Sequence, residues 1–135
     1  MEFRIETNNS EVHNRIRRKL DAYNHLHDPS RNGEALTIEI LDAGDLLAGA
    51  IMLDDWGWLK ILAIWVGEDA RGRGLGRKMV ERAEHIARSR ALRGLYVETT
   101  SFQSPKFYEQ CGFKCFGTVD DMPPGHQSFF YHKYL

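Results

Sequence analysis

The chain is short of cysteine, of net charge and of long apolar runs, and each shortage closes off a class of protein. It has two cysteines, Cys111 and Cys115. Their spacing fits neither a zinc site nor a Cys-x-x-C redox pair, and nothing suggests a disulfide framework. Both read as reduced thiols of a cytoplasmic protein, serving first of all as small core residues. Eighteen Lys and Arg stand against nineteen Asp and Glu, a formal net charge of −1. That balance lacks the footprint of a nucleic-acid binder. No apolar stretch approaches the ~20 residues that span a bilayer, so no membrane partner is expected. The start, Met1-Glu-Phe-Arg-Ile-Glu6, has no apolar signal-peptide core. His25 and His27 are two apart and face different ways on a helix, so no metal site is expected.

What is present fits one globular domain over residues 1–135, with 42% hydrophobic and 27% charged residues. Residues 2–7 read as a short strand. A helix over 10–27 follows, capped by Ser10, with Val12, Ile16, Leu20 and Tyr23 on one face. Strands at 35–41 and 46–53 flank the turn Asp42-Ala-Gly-Asp45. A longer strand, 58–66, is apolar on both faces near its end, as a central strand would be. A helix over about 74–90 buries Leu75, Met79, Ala83, Ile86 and Ala87. Residues 95–100 form a strand, and a short helix runs from Pro105 to Cys111, stopped by Gly112. Strands at 113–119 and 128–134 close the chain. The order β-α-β-β-β-α-β-α-β-β predicts a mixed α/β (α+β) sheet of about seven strands flanked by three helices.

Local basic character is concentrated where the strand 58–66 hands over to the next helix, at Arg71-Gly-Arg-Gly-Leu-Gly-Arg77. Glycines there let a ligand approach the backbone, and the first N–H groups of a helix have no intrahelical partner. The helix dipole and the arginines add positive charge, so the turn is an anion site. A nucleotide P-loop is disfavoured, because Lys78 follows Arg77 and no Ser or Thr comes next. A dinucleotide fingerprint is disfavoured by the spacing Gly72-x-Gly74-x-Gly76. The pattern that fits is R-x-x-G-x-G, whose consecutive N–H groups wrap a pyrophosphate. The bland alternative is a glycine-rich turn with solvated arginines. Against it, glycine costs up to ~1 kcal/mol per position relative to alanine at a helix start.

At this point the sequence resembles the GNAT (GCN5-related N-acetyltransferase) family. Val66-Gly-Glu-Asp-Ala-Arg-Gly-Arg-Gly-Leu-Gly-Arg77 matches its acetyl-CoA motif. Phe107-Tyr-Glu-Gln-Cys-Gly-Phe113 is similar to its F-Y-x-x-x-G-F segment. The likeness covers about residues 35–135. It implies the acyl-CoA N-acyltransferase fold, mostly antiparallel, with a central parallel pair, 58–66 and 95–100, that splays apart. It further implies that Ile64 and Val66 offer main-chain groups to the pantetheine arm of acetyl-CoA. Arg71, Gly72, Arg73, Gly74, Leu75, Gly76 and Arg77 would hold its pyrophosphate, and Ser101, where the family often has Asn, would touch the cofactor.

The implied reaction moves an acetyl group from acetyl-CoA to a primary amine by direct attack in a ternary complex. A lysine-like amine, with a pKa of ~10.4, is neutral in only about four molecules in ten thousand at pH 7, so a base is needed. The leaving thiolate is helped by a proton. Tyr108 stands where the family usually places that proton donor. The family's strand carboxylate is absent from Lys60-Ile-Leu-Ala-Ile-Trp65, which leaves Glu98, acting through water, as the candidate base. The alternative function is a non-catalytic acyl-CoA-binding or regulatory module, and a basic loop for nucleic acid is a third. His126, Trp56, Trp58, Trp65, Asp54, Asp55, Asp120 and Asp121 fit ordinary turn and packing roles as well as acceptor contacts. The acceptor's identity is not written in the sequence, and the C-terminal strands are candidate homodimer surfaces.

Overall fold

The computed structural model describes residues 1–31 and 33–135. The chain divides into two compact units, Met1–Arg31 and the remainder. In the first, α1 spans Ser10–His27. Its cap is Asn9 rather than Ser10: the Asn9 side-chain oxygen accepts the Val12 N–H at 3.1 Å. Glu11 in the first turn and His25 and His27 in the last suit the helix dipole. The stripe of Ile16, Leu20 and Tyr23 exists, but no residue of the helix is buried, and those three are 63%, 47% and 60% exposed. The strand expected over 2–7 does not form. A strand persists only with paired neighbours, and these residues join no ladder. Among the described residues the sheet therefore has six strands, not about seven.

The second unit runs β1 (Glu34–Asp42), β2 (Asp45–Asp55), β3 (Trp58–Val66), α2 (Leu75–Ser89), β4 (Gly94–Thr100), α3 (Pro105–Gln110), β5 (Lys114–Asp120) and β6 (Gln127–Tyr134). The sheet order is β1-β2-β3-β4-β6-β5. Only β3 and β4 pair in parallel among the described residues. Chain connectivity explains this. β2 and β3 are joined by two residues with positive φ, Trp56 (57°) and Gly57 (75°), the conformation that closes a tight hairpin. Between β3 and β4 lies α2, and a helical crossover makes the flanking strands parallel. A short 3-10 turn, Glu68–Ala70, leads from β3 into the glycine loop.

One face of this sheet carries the core. Ala48 and Ala50 on β2 give α2 a shallow seat, filled by Leu75 and Met79. Val80, Ala83 and Ala87 of α2 pack with Met52, Leu59, Ile61, Leu95 and Val97. Tyr108 of α3 joins the same cluster with Cys111, Phe113 and Tyr131. Beyond the end of α2, Arg90 pairs with Asp54 at 2.8 Å and Glu34 at 2.9 Å, fixing the helix to the sheet. These ion pairs raise the Arg90 guanidinium above its ordinary pKa. Both cysteines are free, Cys111 buried and Cys115 exposed. No helix among the described residues is long and apolar enough to cross a membrane.

Candidate active site

The site begins where β3 and β4 stop pairing. Their register holds for three steps, Leu59 with Leu95, Lys60 with Tyr96 and Ile61 with Val97, and then ends. At that point β3 is bulged: Ile51 faces Ala63 and Met52 faces Ile61, so Leu62 is the extra residue. A bulge bends its strand and increases local twist, which carries β3 away from β4. The residues beyond it, expected to be apolar on two buried faces, are instead open, with Leu62 59% and Trp65 50% exposed. They border a cavity of about 800 Å³.

Hydrogen-bond alternation sets which backbone groups face the gap. The Gly67 N–H donates to the Leu47 carbonyl at 2.8 Å, in register with Gly49–Trp65 and Ile51–Ala63. In an antiparallel ladder alternate residues bond across, so Trp65 and Ala63 point their main-chain groups at β2. Ile64 and Val66 point theirs away from β2, into the cavity they line. The Val66 carbonyl accepts from Arg71 Nε at 3.3 Å, which holds the arginine at the start of the loop.

Three glycines in this loop have two different jobs. Gly72 (φ +74°) and Gly74 (φ +75°) take the left-handed conformation that disfavours any side chain, with open space where a Cβ would stand. Gly74 is the N-cap of α2, with no side chain to cap it. The first helical bond is Lys78 N–H to the Gly74 carbonyl at 3.1 Å, which leaves the N–H groups of Leu75, Gly76 and Arg77 without a helical acceptor. The first turn contains no acid and carries Arg77 and Lys78 instead, the reverse of what the dipole favours. An anion at this helix end reverses that penalty. Gly76 serves packing: a Cβ there would sit 3.2 Å from the Phe107 ring.

Two further groups line the walls. Tyr108 is 6% exposed, ringed by Phe107, Phe113 and Tyr131. Its hydroxyl makes no hydrogen bond to the described residues, although Tyr108 borders the cavity. Burial first, and Cys111 second, push its pKa up to about 12, so the phenol keeps its proton. Glu98 lies on β4 between buried Val97 and Thr99, so it projects from the opposite face of the sheet, and it too borders the cavity. An acid and a carboxylate thus approach one cleft from two sides of a parted sheet.

A family model described as "Acetyltransferase (GNAT) family" matches residues 4–113. The chain belongs to that family. Among its relatives, blasticidin-S acetyltransferase of Streptomyces morookaense is 38% identical over 95 residues, 70% of this chain and 70% of its own. An acetyltransferase of Agrobacterium fabrum is 30% identical over 117 residues, 86% of this chain and 85% of its own. The crystal structure of an acetyltransferase from Bacillus cereus superposes with a TM-score of 0.88 at 28% identity, covering 98% of each chain. The fold is accordingly the acyl-CoA N-acyltransferase fold, and the chain is an acetyltransferase.

Of the positions singled out in the sequence, Ile64, Val66, Arg71, Gly72, Gly74, Leu75, Gly76, Arg77, Glu98 and Tyr108 line this one cavity. Arg73 and Ser101 do not. The Ser101 hydroxyl is occupied elsewhere, accepting the Gln127 N–H at 3.2 Å, while the Ser101 N–H donates to the Gln127 carbonyl at 2.8 Å. Sequence reasoning missed Gln103, Thr99 and Phe102, all on the cavity wall. Gln103 Oε1 accepts from the Thr100 N–H at 3.0 Å and lies 3.3 Å from Thr99 Oγ1, so it locks the end of β4. Strand alternation at Thr99 was a usable signal; the turn that brings Gln103 inward has none in the sequence. No group of His, Cys, Asp and Glu among the described residues is arranged to hold a metal ion.

Proposed function

We propose that residues 1–135, its two units acting as a single domain, transfer the acetyl group of acetyl-CoA to a primary amine by direct attack within a ternary complex. The observation that carries this reading is the parted β3–β4 pair, which opens between an unsatisfied helix N-terminus and the free Tyr108 hydroxyl. The diphosphate of acetyl-CoA meets the N–H groups of residues 74–77 and the guanidinium groups of Arg71 and Arg77. Its pantetheine arm takes the ladder positions that β4 has vacated, on Ile64 and Val66. The amine nitrogen attacks the thioester carbon and the carbon–sulfur bond breaks. Tyr108 gives its proton to the departing thiolate, while Glu98, through water, receives the proton that the amine loses. A backbone N–H on the parted edge of β3 stabilises the oxyanion.

The protonated phenol in the cleft favours this reaction over non-catalytic acyl-CoA binding. Two free thiols, Cys111 and Cys115, suit a reducing compartment, and we assign the protein to the cytoplasm. Because a relative 38% identical to this chain is a blasticidin-S acetyltransferase, blasticidin S is the first acceptor to try. The decisive experiment is a screen of amines, blasticidin S included, for acetyl-CoA-dependent release of free CoA, with the product's mass measured. A gain of one acetyl group on an amine supports the reading. Acetyl-CoA binding with no transfer to any amine in the panel overturns it.

A further inference from the structure

The two ends of the cavity differ in chemistry. Arg71 and Arg77 stand at the loop end. At the other end Glu98 is the single carboxylate among the described lining residues, and it makes no hydrogen bond or ion pair to the described residues. The described lining also includes large apolar side chains that the fold leaves open: Leu62 and Phe102 are each 59% exposed and Trp65 is 50% exposed. Ile64 and Val66 pack towards α2, so alternation turns Trp65 to the opposite face, the face from which Glu98 projects. Phe102 is held edge-on against the His126 ring, with centroids 4.8 Å apart. Exposed apolar groups gathered on a concave wall mark a binding surface.

We infer that this end takes a cationic amine with a flat apolar body. The ammonium group sits against Glu98, and the body lies on Leu62, Trp65 and Phe102. This rests on the acetyltransferase reading above and names its acceptor class. Glu98 acts here as a counter-ion, a role separate from accepting a proton. The cleft then divides its substrates by charge: the anionic cofactor enters at the arginines, and the cationic acceptor enters at the glutamate.

The test uses three probes, none of which carries an amine that can be acetylated. Phenethyltrimethylammonium carries both charge and flat body, 2-phenylethanol the body alone, and tetramethylammonium the charge alone. Each is titrated calorimetrically into the full chain, with and without saturating CoA. The expected result is that phenethyltrimethylammonium binds roughly tenfold tighter than either partial probe. Glu98→Gln lowers it to the level of 2-phenylethanol, and Trp65→Ala weakens both aromatic probes, with Trp65→Phe as the milder variant should the alanine fail to fold. Equal affinity for the charged and neutral aromatic probes overturns the inference. So does an unchanged cation affinity in Glu98→Gln, or binding of no probe by protein that binds CoA. Failure of CoA itself to bind is read in a separate arm and strikes the acetyltransferase reading, while the probe titrations without CoA still report on the acceptor end.

Discussion

Replacing Gly74 by alanine, with Gly57 as its control, separates what the glycine loop does for folding from what it does for the ligand. Both glycines have φ of +75°, and at both a new Cβ would meet nothing within 4 Å. Neither substitution creates a clash, so each costs only the left-handed backbone, about 1 kcal/mol net of the entropy that alanine removes from the unfolded chain. For a domain of this size that lowers Tm by roughly 3–4 °C, equally for the two variants. Their positions differ. Gly57 closes the β2–β3 hairpin, while Gly74 caps α2 at the edge of the cavity. A methyl group at 74 crowds the diphosphate away from at least one charge-assisted N–H contact, worth about 1.5–3 kcal/mol, or roughly 10- to 150-fold in Kd. Thermal melts and calorimetric titration with acetyl-CoA check both halves. The reasoning fails if Gly74→Ala binds acetyl-CoA as tightly as Gly57→Ala does.

Tyr108→Phe should lower kcat clearly, by about 10- to 100-fold for the loss of a positioned proton donor, while acetyl-CoA affinity stays near the unmodified value; steady-state kinetics with calorimetry decide, and an unchanged kcat removes the acid role. Burial also makes Tyr108 report on alkaline stability. Its pKa and that of Tyr131, which burial and the Glu109 hydrogen bond also push up to about 12, exceed the ordinary value of 10.0. The folded state holds these protons longer, so the stability they contribute is fully present below about pH 10 and disappears as pH rises through 12. Urea midpoints between pH 9 and 12 should fall less steeply for Tyr108→Phe than for the parent, and parallel curves contradict this. Gly94→Ala should destabilise the fold by more than about 2 kcal/mol, because its Cβ would collide with the Lys133 carbonyl oxygen on β6 and stand 2.7 Å from Trp58. A Cm unchanged from the parent would mean that the β4–β6 contact is looser than described.

Local patterns carried most of the element assignments. Alternation in 46–53, the wide apolar face of 75–89 and the turn at 54–57 all produced elements within a residue or two of those expected. The strand over 2–7 failed because alternation in Met1-Glu-Phe-Arg-Ile-Glu6 gives a segment two faces but no pairing partner. Gly76 was grouped with Gly72 and Gly74 by spacing, yet its neighbour is Phe107, thirty-one positions away in the chain and one ring away in space. No local signal distinguishes a glycine that needs positive φ from one that needs room.

The sequence by itself determined the glycine- and arginine-rich turn that opens α2, since alternate glycines, a helix start and flanking arginines lie within one segment and need no distant contact. It also determined that a tyrosine follows Phe107 on a short helix. Tertiary structure decided what those pieces enclose. The bulge at Leu62 ends the β3–β4 register after three pairs, and that parting creates the cavity. Tertiary packing also sets Tyr108 and Glu98 on opposite faces of one opening, raises the phenol's pKa by burial, and draws the Ser101 hydroxyl to Gln127 instead of the cleft. Each of these depends on neighbours far apart in the chain.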